Sequence, residues 1–290
     1  VENMQSVRPG NPKKRVSRLF KKTIVPHIIL VFFGLLFLFP FFSLVMTALK
    51  SPTEIFELPP ELFPKVFHWE NFKRAFEAMP FFMYLKNTLF LCIVNIVGYL
   101  ISAPLVAYSI SKIQWKGKKP LFLIIIATMI LPPEVTMIPV YIIYSKLGWI
   151  NTYLPLTIGS LFGGSFNIFL IRQFMMGIPN ELMEAAKIDG AGELRIYGQI
   201  IYPLLKPVLT TIAIFTFTGV WNDFMGPLIY LNNPNLWTIS VGLQGFMQEH
   251  GAQWELLMAS ATIFTIPSVL LYFIGQKHIL KTGSAFTGLK

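Results

Sequence analysis

Six stretches of this chain are long and apolar enough to cross a hydrocarbon layer, and nothing else in the sequence restricts the fold so tightly. A helix needs about 20 mostly apolar residues to span a bilayer. The stretches cover residues 24–49, 84–110, 120–144, 154–176, 204–231 and 254–275. In lipid, backbone N–H and C=O groups must pair within their own segment, so each stretch is expected to be helical. The predicted fold class is therefore all-α, a polytopic membrane protein with six transmembrane helices. Only 13% of the 290 residues are charged, against about 25% in an ordinary soluble domain. The first stretch is too long for the core of a cleaved leader and reads as a retained span.

The charge pattern sets an orientation. The net charge of +10 sits in clusters beside the apolar stretches: Arg8 to Lys22 before the first, Lys112 to Lys119 after the second, and Lys277, Lys281 and Lys290 after the last. That is a positive-inside pattern and not a nucleic-acid surface. It divides the chain into a basic cytoplasmic tail (1–23), a membrane domain (24–276) with a cytoplasmic loop at 177–203, and a cytoplasmic C-terminal tail (277–290). Segments 50–82, 145–153 and 232–253 fall outside. In the first of these, His68-Trp69-Glu70-Asn71-Phe72 is expected either to start a short surface helix anchored by Trp69 or to lie in an ordered loop. The single cysteine, Cys92, permits no internal disulfide. His27, His68, His250 and His278 lack metal-ligand spacing, so no metal and no cofactor is expected. No nucleophile, base and orienting group gather, so an embedded enzyme is disfavoured.

The loop at 177–203 is a polar island between two spans. Pro179 suits a first helical turn, where its missing N–H is harmless, and Glu181 and Glu184 favour that positive helix end. Leu182, Ala185, Ala186 and Asp189 recur at helical spacing and are expected on one face, with two alanines making it smooth. Gly190 and Gly192 should end the helix. A second short helix is expected from Glu193, burying Leu194, Tyr197, Ile200 and Ile201.

Glu184-Ala185-Ala186, three residues, Gly190, nine residues, Ile200, and then Tyr202-Pro203 resemble the cytoplasmic motif of the permease subunits of ATP-binding-cassette importers. Tyr202 stands where that family usually has Leu. Asp189-Gly190-Ala191, Trp221-Asn222-Asp223-Phe224 with Pro227-Leu228, and the tail from Gln276 to Lys290 are similar to the carbohydrate-uptake branch, in particular its smaller six-span permease. The resemblance implies a type I importer permease fold in a bacterial or archaeal cell membrane. It implies that Glu184, Ala185, Ala186, Asp189, Gly190, Ala191 and Gly192 form a coupling helix seated on an ATPase. It further implies a homologous second permease subunit, two ATPase subunits, an extracytoplasmic solute-binding protein and a carbohydrate substrate. No Gly-x-x-x-x-Gly-Lys-Ser/Thr loop occurs in the sequence, so ATP hydrolysis is expected in another polypeptide. The alternatives are a permease for an amino acid, peptide or phosphate ester, or an ion-coupled secondary transporter. The latter would call for inverted halves that the sequence does not show.

Polar groups inside spans are costly and seldom incidental. Trp221, Asn222 and Asp223 are candidates for the substrate path, where amide and carboxylate oxygens accept sugar hydroxyls and indole stacks on a sugar face. The other reading is a polar group that holds helices together. Glu134, after Pro132-Pro133, is a further path candidate. Asn87, Asn95, Asn167 and Gln173 are expected to bond between helices, and Gly98 and Gly163-Gly164 to allow close packing. The resemblance implies that Trp237, Gln244 and Gln248 in the last outer segment touch the binding protein; the other reading is a turn that returns the chain.

Overall fold

The computed structural model describes residues 24–248 and 253–287, with the backbone alone for 248 and 277–287. The basic tail 1–23, His250, residues 288–290 and the side chains of Lys277, His278 and Lys281 lie outside the described residues. Among the described residues all regular structure is helical. Four helices are long and apolar enough to cross a bilayer, and two bent helix pairs bring the number to six if each pair is one span.

Helix α1 (Val25–Ala48) is apolar on every side. The short α2 (Glu70–Glu77) follows, with exposed Trp69 at its N-cap. Trp69 lies between Phe67 and Phe72, each ring centroid 6.4 Å away in a stacked arrangement. A short helix is therefore present beside Trp69, starting at Glu70. Helix α3 (Phe81–Ser111) is one 31-residue helix running through Pro104, about 46 Å long at 1.5 Å per residue. Tyr84, Thr88, Leu91, Asn95 and Gly98 recur every three or four residues along its buried side.

The third apolar stretch is not one helix. Helices α4 (Lys118–Ile130) and α5 (Pro133–Lys146) meet at 102°. Pro132 and Pro133 donate no N–H, and Leu131 and Pro132, each before a proline, take extended backbone, so the break is local chemistry. The fourth stretch contains a helical turn (Leu154–Thr157), a 3-10 turn (Ile158–Phe162) and α6 (Ser165–Met176), with Gly163 and Gly164 at positive φ between them. The polar island gives α7 (Glu181–Ile188) and an arm α8 (Glu193–Leu204) that meets α9 (Lys206–Trp221) at 71°. The fifth apolar stretch, expected to be helical to residue 231, stops at Trp221 and resumes as α10 (Met225–Tyr230). Helices α11 (Ile239–Gln248) and α12 (Trp254–Thr287) complete the chain.

α3 packs on α6 and α9, α9 on α12, and α12 on α1 and α2. Two apolar clusters lie at the two ends of this bundle. One, on the face that carries α7, contains Ala107, Tyr108, Ile171, Met175, Ile196, Ile201 and Leu205. The other, on the opposite face, contains Ala48, Ala75, Phe81, Tyr84, Ile239, Phe246 and Leu256.

Between the clusters the contacts are small and polar. A Cβ on Gly98 would lie 2.2 Å from Ser160 Oγ, so only glycine lets the fourth stretch come this close to α3. Ser102 Oγ donates to Ser160 O at 2.7 Å, and Asn95 Nδ2 donates to Leu156 O at 3.0 Å. Asn95 thus bonds across helices, as the sequence suggested.

Candidate functional site

The site on the motif face is built around α7. Asn180 is its N-cap residue, and the Asn180 carbonyl accepts from Met183 N at 2.9 Å and Glu184 N at 3.1 Å. Pro179 precedes the cap and is not in the first turn, which moves the expected start by two residues, to Glu181. At the other end Gly190 takes φ +78°. Gly190 N donates to Lys187 O at 3.0 Å and Ala191 N to Ala186 O at 2.9 Å. This is the paired Schellman termination, which needs a left-handed residue at that position. The glycine of the motif therefore has a stated physical cause.

The two faces of α7 differ from the sequence expectation. Met183 is buried, and Ala186 packs beside it on the apolar cluster. Ala185, Leu182, Glu184 and Asp189 are exposed. The two alanines therefore divide between an inward and an outward face, because neighbours on a helix point about 100° apart and Met183 fixes the inward direction. In α8, Leu194 is 84% exposed and Ile196 is buried in its place. A π-helical turn over Tyr197–Ile201 shifts the phase so that Ile196 and Ile201 both point inward. Ile188, 87% exposed, and Leu194 each present an apolar side chain outward from the polar island. Sequence reasoning did not single out Ile188. The available signal was an apolar residue in a polar segment, off the buried face set by Met183.

Side chains from the end of α3 hold α7 in place. Lys112 Nζ donates to Ile178 O at 2.6 Å and to Asn180 Oδ1 at 2.9 Å. Partial burial pushes the Lys112 ammonium below its ordinary pKa, against the opposing pull of Glu181. Tyr108 OH donates to Glu193 Oε2 at 2.7 Å, and Lys187 Nζ pairs with Glu193 Oε1 at 2.6 Å. The Lys187 bond, then the Tyr108 bond, hold the Glu193 carboxyl below its usual pKa.

The proposed path residues have unlike environments. Trp221 is 1% exposed, stacked between Phe217 and Phe264 at 5.1 Å each, with Nε1 donating to Phe264 O at 3.0 Å. Both indole faces are covered, so Trp221 cannot stack on a sugar, and its assignment to the path is corrected to a core role. Asp223 Oδ1 accepts from Gly226 N at 3.0 Å and caps α10. Asn222 is exposed, its Nδ2 donating to Thr218 O at 2.8 Å and leaving its carbonyl oxygen outward. Glu134 is exposed in the first turn of α5. On the opposite face, Trp237 is half-buried, with Nε1 donating to Leu231 O at 3.0 Å. Gln244 is half-buried on α11, and the Gln248 side chain lies outside the described residues. A half-open cavity of about 610 Å³ beside them is lined by Arg74, Glu77, Tyr84, Trp237 and Gln253. Among the described residues no three His, Cys, Asp or Glu side chains group as a metal site.

Comparison with known proteins agrees with this architecture. Residues 100–282 match the family described as "Binding-protein-dependent transport system inner membrane component". A putative ABC transporter permease protein of a Caldicellulosiruptor species is 33% identical over 83% of this chain and 88% of its own length. The sn-glycerol-3-phosphate transport system permease protein of Yersinia enterocolitica is 30% identical over 88% of this chain and 93% of its own. The arabinooligosaccharides transport system permease protein of Halalkalibacterium halodurans is 28% identical over 89% and 93%. The crystal structure of a bacterial ABC transporter involved in the import of the acidic polysaccharide alginate contains a chain that superposes with TM-score 0.75 at 25% identity, covering 91% of this chain and 97% of that one. A membrane-embedded helical bundle, a glycine-terminated α7 in a segment with outward apolar side chains and a family match over most of the chain converge on one conclusion: this protein belongs to the inner membrane components of binding-protein-dependent transport systems, the permeases of ABC importers.

Proposed function

We propose that this chain is one of two homologous permease subunits of an ATP-driven carbohydrate importer, and that α7 is its coupling helix. The observation that carries the reading is a pair of exposed apolar side chains, Ile188 at the end of α7 and Leu194 on the arm that follows, on a segment whose short helix is fixed at both ends. Apolar side chains presented from a polar segment need a protein cover, and a helix held at both ends transmits displacement instead of absorbing it. The cover is an ATPase subunit in the cytoplasm, one under each permease. The cluster Lys112, Lys116, Lys118 and Lys119 supports a cytoplasmic position for this face and for both chain ends. Closure of the ATPases on ATP draws the two coupling helices together. The spans then rock from inward-open to outward-open, and a solute-binding protein on the outer face delivers the sugar. Residues 232–253 are its contact. ATP biases this equilibrium only through contacts that differ between the two states.

The arabinooligosaccharide and alginate systems favour a carbohydrate. The sn-glycerol-3-phosphate relative favours a second reading, a phosphate ester. Charge bears on the choice: the exposed Asn222 carbonyl and Glu134 carboxylate suit the hydroxyls of a neutral sugar and disfavour a phosphate and an acidic polysaccharide alike. Arg172 does not offset them, since its guanidinium lies 3.9 Å over the Phe122 ring. The test is uptake of radiolabelled arabino- and malto-oligosaccharides by cells carrying the assembled transporter, with sn-glycerol-3-phosphate as competitor. Glu184→Lys and Gly190→Pro each abolish uptake while the chain still inserts. Normal uptake in both variants refutes the coupling role, and competition by the phosphate ester alone selects the second reading.

A further inference from the structure

α7 is joined covalently to α6 and, through α8, to α9. Neither neighbour suits the transmission of a push. The stretch containing α6 passes through a 3-10 turn and two positive-φ glycines, Gly163 and Gly164, and the arm leading to α9 turns by 71° at Leu205. Helix α3 has no covalent link to α7, yet it grips both of its ends. Tyr108 and Lys112 are four residues apart, so they share one face of the last turn of α3. Lys112 holds the N-cap residue Asn180 and the preceding Ile178 carbonyl. Tyr108 holds Glu193 just beyond the helix end, and Glu193 in turn holds Lys187 on α7 itself. Met183 and Ala186 fill the space between on the cluster that contains Ala107 and Tyr108.

The other end of α3 makes a matching set of bonds. Asn87 Nδ2 donates to Asn235 O and to Trp237 O, both at 2.9 Å. Thr88 Oγ1 accepts from Ile239 N at 3.1 Å. One helix, unbroken from Phe81 to Ser111, therefore fastens the motif segment at one end and the start of the opposite-face segment at the other.

From this we infer that α3 is the rod that carries displacement of α7 to the opposite face of the molecule, and that Tyr108, Lys112 and Asn87 are the positioning residues that fasten its two ends. The inference rests on α7 being the coupling helix. It assigns roles to three residues outside the motif and gives the outer segment a mechanical link to the ATPase that does not pass through the covalently attached spans. Spatial continuity alone does not establish such a link; both ends must respond when one is driven.

The experiment uses the assembled transporter, purified through a tag on this chain and placed in lipid nanodiscs. Spin labels are attached at Asn232→Cys and Lys73→Cys, both exposed on the opposite face, while buried Cys92 stays unlabelled. The distance between labels is read without nucleotide and with ATP plus vanadate, and the ATPase that co-purifies is quantified. The wild-type distance changes with ATP and vanadate. Tyr108→Phe with Lys112→Met retains the ATPase and loses the change. Asn87→Ala, which touches nothing on the motif face, also retains the ATPase and loses the change. Lys112→Arg, which keeps the donors, restores it in place of Met. A full distance change in Tyr108→Phe/Lys112→Met or in Asn87→Ala overturns the rod. Loss of the ATPase from the wild-type assembly overturns the coupling reading itself, and the rod with it.

Discussion

Trp221 is a single residue enclosed on all sides, 1% exposed with its indole N–H paired. Its neighbours Asn222 and Asp223 and its place in an apolar stretch suggest a sugar platform. The structure instead closes both faces of the ring with Phe217 and Phe264 and satisfies the indole N–H with a carbonyl. Trp221→Ala should therefore lower the thermal stability of the detergent-purified chain, by about 3–5 kcal/mol as for other large-to-small core changes. Trp221→Phe should keep most of it. Neither should change which sugar is taken up, and an altered substrate preference in Trp221→Phe would return the residue to the path. A sequence shows that an aromatic residue lies at membrane depth; it does not show what stacks on it, because Phe264 is 43 residues away. Gly190 is the opposite case. Its role was legible because a left-handed helix termination is a local requirement with few chemical solutions.

At the scale of the element, the apolar stretches located the spans well and their interruptions unevenly. The Pro132-Pro133 break has a local cause, since proline acts on its own backbone and the residue before it. The stop at Trp221 was not legible, because Asp223 caps α10 by a turn that the apolar count does not register. The phase of α8 was misread for a similar reason: a π turn changes the spacing on which face assignments depend. The contact between α3 and the fourth stretch gives a further prediction. Any side chain on Gly98 collides with Ser160 at 2.2 Å. Gly98→Val should destabilise the bundle by about 1–3 kcal/mol through overpacking, read as a lower unfolding midpoint in detergent. An unchanged midpoint would mean that the two elements do not touch so closely.

The whole molecule leaves much of itself uncovered. α4 and α5 bury no residue within the chain, and most of α1 is exposed. In the proposed assembly lipid and a second permease cover these surfaces. The three stacked rings of Phe67, Trp69 and Phe72 bear on how the chain sits in that lipid. Trp69 is 66% exposed beside α2, on the segment that joins α1 to α3. Aromatic residues of this kind settle in the headgroup layer, and α3 ties the opposite end of the molecule to them at a length that does not stretch. This arrangement predicts one best-fitting membrane thickness for the protein. In nanodiscs of graded acyl-chain length its unfolding temperature should pass through a maximum, and Trp69→Ala should flatten that curve. With thinner or thicker lipid the helices must lean or the rings must leave their layer, so the composition of the surrounding bilayer becomes a control on transport rate that requires no regulator to bind.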